Sequence, residues 1–212
     1  PDFIYGDDDG NTLSGGGNND FLFGANGNDT LYGDSGADLL VDVKGADALY
    51  GGSGDDVLIA DASVLQGFGS LTPTEVDSHT DVNSPLGDLL DGGAGNDVLF
   101  VGGGSDTIRY ASLSDGTDTV AGFDTAAAAS GGDVIDISAV LDLPGNTWAD
   151  GGSFSDATAG AYLTFANDGH GNTVVAVDID GVGAGTPVTL AILQGVDPTD
   201  ALSLLDDNFT LG

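Results

Sequence analysis

Residues 6–59 read GDDDGNTLS GGGNNDFLF GANGNDTLY GDSGADLLV DVKGADALY GGSGDDVLI, six nonapeptides laid end to end. Their sixth position holds Asn11, Asp20, Asp29, Asp38, Asp47 and Asp56, and their eighth holds Leu13, Leu22, Leu31, Leu40, Leu49 and Leu58. The phase is lost over residues 60–83. It returns over 84–118 as SPLGDLLD, GGAGNDVLF, VGGGSDTIR and a degenerate YASLSDGTD. This second run sets Asp88, Asp97, Asp106 and Asp115 nine residues apart, with Leu90, Leu99 and Ile108 two places after the first three. Self-similarity at a fixed period marks a repeat architecture, in which each unit buries its apolar side only against its neighbours.

Each nonapeptide divides into a six-residue turn and a three-residue strand. Successive strand side chains point to opposite faces, so the apolar eighth residue points inward and residues seven and nine point outward. Thr, Phe, Val, Tyr and Ile at those flanking places suit a pleated surface. In the turn, glycine at positions one, two and four permits positive φ, which turns backbone carbonyls toward the gap between neighbouring turns. The sixth-position Asp adds a short carboxylate to that gap, where Glu would overreach. An all-oxygen cage of this kind suits a hard cation with six or more ligands at about 2.3–2.6 Å, and calcium rather than the stricter magnesium.

Composition agrees. Two basic residues stand against thirty-five acidic ones in 212 residues, a formal charge of -33, and Glu75 is the only glutamate. Lys44 and Arg109 alone cannot neutralise a phosphate backbone, which excludes nucleic acid as a main partner, and an anionic membrane would repel the chain. High charge usually means disorder, yet 40% of the residues are hydrophobic and the mean hydropathy is slightly positive. The two facts fit if a cation absent from the sequence supplies the missing positive charge. There is no cysteine for disulfides or thiolate sites, the sequence does not open on a basic-then-apolar signal pattern, and no apolar run reaches membrane-spanning length. HExxH, P-loop, GxSxG and Cys–His constellations are all missing, so the chain reads as non-enzymatic.

The consensus GGxGxDxUx, with U a large apolar residue, resembles the nonapeptide of the RTX family of secreted bacterial proteins. The resemblance covers residues 6–59 and 84–118. The following DTVAGFD…GDVIDIS, residues 118–138, looks like the stretch that ends the repeats in type I secreted proteases and adhesins. It implies an all-β chain: a right-handed parallel β-roll (a β-solenoid) of nonapeptides with a C-terminal β-rich cap. Two nonapeptides complete one coil in that family, and a calcium ion lies between repeats i and i+2. Carried onto this chain, the resemblance pairs Asn11 with Asp29, Asp20 with Asp38, Asp29 with Asp47, Asp38 with Asp56, Asp88 with Asp106 and Asp97 with Asp115. Gly15, Gly24, Gly33, Gly51, Gly92 and Gly95 complete the expected metal sites. Departures from the consensus are expected to weaken individual sites: Asn11 lacks a charge, Asp42 and Val43 replace leading glycines, and Ser84, Pro85 and Leu86 occupy a glycine region.

The expected organisation is a first block at 1–59, an insertion loop at 60–83, a second block at 84–118, and a cap with a secretion-signal region at 119–212. Beyond residue 119 the strands are expected at 134–137, 161–165, 173–179 and 188–193, with a short helix at 200–205 and Trp148 in the cap. His79 and His170 read as solvated loop residues, and the insertion as a surface loop. Phe21, Phe23, Tyr32, Tyr50, Phe100 and Tyr110 read as packing at the strand surface rather than a sugar platform. Asp178–Gly183 reads either as one more calcium turn or as an acidic hairpin. The resemblance implies a monomeric module of a large adhesin, binding several calcium ions, exported by the type I secretion machinery and folded outside the cell or at its surface. A module of a secreted protease or lipase and a glycan- or surface-binding module are the alternatives.

Overall fold

The computed structural model describes residues 1–42, 44–60, 87–126, 130–141, 163–178, 186–197 and 209–210. The insertion beyond Ala60, Trp148, the 200–205 segment and most of 178–183 lie outside the described residues.

The short apolar triplets form strands as their period requires. They are β1 (Phe3–Tyr5), β2 (Thr12–Ser14), β3 (Phe21–Phe23), β4 (Thr30–Ser35), β5 (Leu39–Val41), β6 (Ala48–Ser53) and β7 (Val57–Ile59). Past the insertion come β8 (Leu89–Ala94), β9 (Val98–Phe100), β10 (Thr107–Arg109), β11 (Asp118–Ala121) and β12 (Val134–Asp136), then the one-turn helix α1 (Ser138–Leu141). The chain continues with β13 (Leu163–Asn167), β14 (Thr173–Val177), β15 (Val188–Leu193) and β16 (Phe209–Thr210).

Alternate strands belong to alternate sheets. One sheet runs β1-β3-β5-β7-β9-β11-β15-β14-β13 and the other β16-β12-β10-β8-β6-β4-β2. All neighbours are parallel except the β13–β14–β15 meander, whose last strand joins β11 in parallel. A chain that changes sheet at every turn and pairs each strand with the one two places on is a β-roll.

Between the sheets runs the apolar ladder that the eighth positions foretell. Leu22, Leu40, Leu58, Leu99 and Val120 on one sheet meet Leu31, Leu49, Leu90, Ile108 and Ile135 on the other, all fully buried. Burial of each such side chain contributes roughly 1.5–3 kcal/mol, so the ladder is the main apolar support of the roll.

Three features extend the sequence reading. The roll starts earlier than the first full nonapeptide, because Asp2-Phe3-Ile4-Tyr5 supplies the last four positions of a preceding one and β1 pairs with β3 through Ile4 and Leu22. The insertion leaves the ladder unbroken: Leu49 pairs with Leu90 and Leu58 with Leu99, as if the intervening residues were spliced out. The sheets also run past residue 118, since β11 pairs with β9 and β12 with β10.

Candidate metal centre

The turns that connect the two sheets stack in two columns along the roll. In each, one carboxylate oxygen is spent on the backbone. Asp38 Oδ1 accepts from the Asp20 N–H at 2.7 Å, Asp56 Oδ1 from Asp38 N–H at 2.7 Å, and Asp97 Oδ1 from Asp56 N–H at 2.7 Å. The other column repeats this with Asp29 on Asn11, Asp47 on Asp29, Asp88 on Asp47 and Asp106 on Asp88. The sixth-position side chain therefore reaches back one coil, eighteen residues in most places and forty-one across the insertion.

The second oxygen faces inward. Oδ2 of Asp20, Asp29, Asp38, Asp47, Asp56 and Asp97 is buried with no hydrogen-bond partner. Buried polar atoms are almost always satisfied, so a column of orphaned carboxylate oxygens calls for a cation.

The leading glycines form the opposite wall. A Cβ on Gly33 would lie 2.6 Å from Asp38 Oδ2 and 2.5 Å from the Gly51 carbonyl. A Cβ on Gly51 would lie 2.5 Å from both Asp56 Oδ2 and the Gly92 carbonyl. Gly15 is placed alike against Asp20 and Gly33, and Gly92 against Asp97.

This corrects the reason for the first glycine. Its φ is ordinary, and what glycine supplies there is empty space between a carboxylate and the next coil's carbonyl. Positive φ falls at positions two and four of the repeats, as at Gly52 and Gly54, and Asn18, Ala25 and Asp34 adopt it there too; at a leading position it is seen at Gly122, after β11. Gly95 does not have positive φ, and a Cβ on it would meet the Gly54 carbonyl.

Two register differences concern the acids. Nine-residue spacing pairs Asp97 with Asp115, but the Asp97 N–H donates to Asp118 Oδ1 at 3.0 Å. Asp115 Oδ2 instead accepts from the Ala111 and Ser112 N–H groups, closing its own turn. Three extra residues separate the coils here. The apolar partner was the better guide, since Val120 follows Asp118 by two and Thr117 follows Asp115. By the same rule Asp133, two before Ile135, takes the sixth position of the last coil, accepting from Asp106 N–H at 3.0 Å.

The other difference is Asp42. It stands where a leading glycine belongs, yet it is fully buried and meets Asp29 and Asp47, with ligand oxygens of the three within 4.8 Å of one another.

The columns are electrostatically loaded. Burial, with the charge of neighbouring aspartates, pushes the carboxyls of Asp56, Asp88, Asp118 and Asp133 up to about 7. The same causes push those of Asp47 and Asp97 up to about 6. A group held this far above the ordinary carboxylate range gains most from a cation that replaces its proton.

The remaining candidates sit elsewhere. His170 is exposed, 3.6 Å from Asp168 in the turn between β13 and β14. Tyr32 and Tyr50 stack on the outer face with ring centroids 4.9 Å apart, whereas Tyr110 is fully buried at a leading position rather than on a strand surface.

Orphaned buried carboxylate oxygens, facing carbonyls and side-chain-free cradles together fit a hard divalent cation, so the arrangement defines a calcium-binding β-roll. The family profile of the RTX calcium-binding nonapeptide repeat (4 copies) matches residues 5–40, 32–63 and 87–112. Over those residues the chain is built of RTX calcium-binding nonapeptide repeats.

Among solved structures the chain is similar to the AlgE6R2 subunit of the mannuronan C5-epimerase of Azotobacter vinelandii. The identity is 23%, over 98% of this chain and 91% of that one, with a TM-score of 0.38. It is also similar to the AlgE6R3 subunit of that enzyme, at 19% identity over 96% and 80%, with a TM-score of 0.33. No curated protein matches. Among the described residues no helix is long and apolar enough to cross a membrane.

Proposed function

We propose that this chain is the non-enzymatic calcium-binding module of a large secreted bacterial adhesin, exported by the type I secretion machinery and folded by several calcium ions outside the cell. The observation that carries the reading is the column of buried Oδ2 atoms with no partner, from Asp20 to Asp97. Burying an unpaired carboxylate costs several kcal/mol, and here the cost recurs at Asp20, Asp29, Asp38, Asp47, Asp56 and Asp97. A cation between the sixth-position carboxylates and the leading-glycine carbonyls removes it. Asp20, Asp29, Asp38, Asp47, Asp56, Asp88, Asp97, Asp106, Asp118 and Asp133 are the acids we assign to the two columns, with Gly15, Gly33, Gly51 and Gly92 as the open walls.

The same arithmetic explains export. Cytosolic calcium lies far below the roughly 10⁻⁴–10⁻³ M affinities of extracellular modules, so the turns stay open inside the cell and the chain stays extended. Outside, calcium closes the turns and the apolar ladder stacks. Past residue 119, β15 pairs with β11 and β16 with β12, which carries both sheets beyond the repeats.

Circular dichroism tests the coupling. Removing calcium with EGTA at pH 8 abolishes the β signal, and millimolar calcium restores it where equal magnesium does not. A metal-free chain that keeps its full β signal at pH 8 would refute the reading.

A further inference from the structure

Asp42 breaks the repeat pattern at the leading position, where Gly15, Gly33, Gly51 and Gly92 leave no room for a side chain. Its backbone keeps its place in the ladder, donating N–H to the Ile59 carbonyl at 2.9 Å. Its carboxylate turns back over Gly24. A Cβ on Gly24 would collide with Asp42 Oδ2 and lie 2.9 Å from Asp29 Oδ2. The carboxylate thus occupies the space that is left open at Gly33 and Gly51.

Asp29 and Asp47 meet it there. Both are more than nine-tenths buried, and the Oδ2 atom of each has no hydrogen-bond donor. Asp42 is fully buried as well. Among the described residues no other three carboxylates converge this closely.

We propose that Asp42 is a third carboxylate ligand, shared with Asp29 and Asp47, and that this site takes calcium more tightly than the two-carboxylate sites along the roll and fills first. The inference rests on the calcium reading of the columns. Three negative charges attract one divalent ion more strongly than two, and affinity in oxygen cages rises with the number of charged ligands. Its position gives it a role in assembly. It joins the third and fifth nonapeptides, so an ion held there fixes the centre of the first block and lets coils add on either side.

The bland view of Asp42, a departure that weakens its site, predicts the opposite sign, and this makes the test sharp. Calcium titration followed by calorimetry, with terbium luminescence as a second probe, is run on the full chain and on D42G, which restores the consensus glycine. Asp42→Asn keeps the shape and removes the charge. Asp34→Gly removes one charge from an exposed second position of positive φ and serves as the charge control.

The unaltered chain is expected to show a tight class of about one ion, separated from the rest by roughly ten-fold or more in affinity. D42G and Asp42→Asn lose that class, and the calcium midpoint for folding rises several-fold. Asp34→Gly keeps it. Retention or tightening of the first class in D42G overturns the proposal, as does a single uniform class in the unaltered chain. Binding of no calcium by any variant would instead sink the calcium reading itself.

Discussion

The turns before Phe100 and the turns after it hang on one backbone ladder but are closed by opposite chemistry. In the earlier coils the leading position is mostly glycine and the sixth-position carboxylate keeps an unpartnered oxygen, as at Gly51 with Asp56 and Gly92 with Asp97. In the later coils three leading positions carry Val101, Tyr110 and Ile137, all buried in the apolar core. Acids there find backbone donors: Asp133 accepts from both Asp106 and Asp124 N–H groups, and Asp115 from Ala111 and Ser112. The earlier coils rely on a cation at turn after turn, while the later ones add apolar side chains and a second backbone donor to Asp133, with Asp118 and Asp133 still raised to about 7. A ladder built this way has a direction, because the end with more support of its own holds its strands at a lower calcium level than the rest.

The largest effect that tests this contrast is set by pH. Asp56, Asp88, Asp97, Asp118 and Asp133 have folded-state values of about 6 to 7, raised by burial and then by neighbouring acids, against 3.8 for the ordinary group. A raised carboxyl binds its proton more tightly in the folded chain. Its contribution is therefore fully present below about pH 4 and is lost as pH rises through 6 to 7. Metal-free protein should consequently regain its β signal near pH 4 and lose it by pH 8, and calcium should make the high-pH limb disappear. Hydrogen exchange resolves the comparison by region. At pH 8 without metal, protection should vanish at Leu22, Leu40 and Leu58 before it vanishes at Val175 and Leu193. Equal loss at both ends would erase the distinction.

A next, smaller effect concerns what the two regions share. Leu49 is fully buried between Leu31 and Leu90 in the ladder, so Leu49→Ala should cost about 2–5 kcal/mol in calcium-saturated protein. Ile135→Val near the other end should cost about 1 kcal/mol. Denaturant melts in saturating calcium measure both. If Leu49→Ala destabilised only the calcium-free state, the ladder would not be one core.

How much of this was legible in the sequence depends on which residues carry the period. The β-roll, its alternating sheets and the buried Leu ladder follow from Asp and Leu two places apart, since that spacing dictates a turn, a strand and one inward side chain. Where repeats degenerate, counting by nine failed and the Asp-x-apolar pair would have succeeded. Asp118 before Val120, Asp133 before Ile135 and Asp2 before Ile4 all carry it. Pairing across the insertion was hidden for a different reason: Asp47 and Asp88 meet through a ladder that ignores chain length. Asp42 was illegible in kind. A consensus treats it as a missing glycine, and only the backward reach of its side chain over Gly24 shows a carboxylate added rather than a wall lost. The meander of β13 to β15 was foreseen as strands, but its antiparallel pairing and its docking on β11 have no period to announce them.

Glycine substitutions separate space from backbone conformation at an intermediate scale. Gly51→Ala puts a methyl 2.5 Å from Asp56 Oδ2 and the Gly92 carbonyl, so it should cost about 1–3 kcal/mol and weaken calcium binding at that coil. Gly16→Ala meets no atom within 4 Å, and its φ of 87° is its only penalty, about 1–2 kcal/mol. The first loss should grow with calcium concentration, because the methyl blocks the liganded turn. The second should stay constant. Calcium-dependent melting curves that fall in parallel for both variants would mean that the leading glycines are not walls of a site.

The smallest effect lies on the outer face, where the chain's one arginine is placed. Position nine of successive strands in the seven-stranded sheet holds Tyr32, Tyr50, Asp91, Arg109 and Asp136. Arg109 donates to Asp91 Oδ2 through Nε at 2.8 Å and Nη2 at 2.6 Å, and its guanidinium carbon lies 5.3 Å from the Tyr50 ring centroid. The arginine side chain is 37% exposed, so solvent screens the pair and its worth is at most about 1 kcal/mol. The ring contact adds about 0.5 kcal/mol at such a site. Arg109→Gln should therefore lower the melting point slightly, more at low salt than at high salt, and leave the number of bound calcium ions unchanged. That pattern assigns the outer ladder to sheet pairing and the metal columns to the turns. A change in calcium stoichiometry on losing Arg109 would show that the two faces are coupled, and the separation of turn chemistry from strand chemistry drawn above would fail at β8.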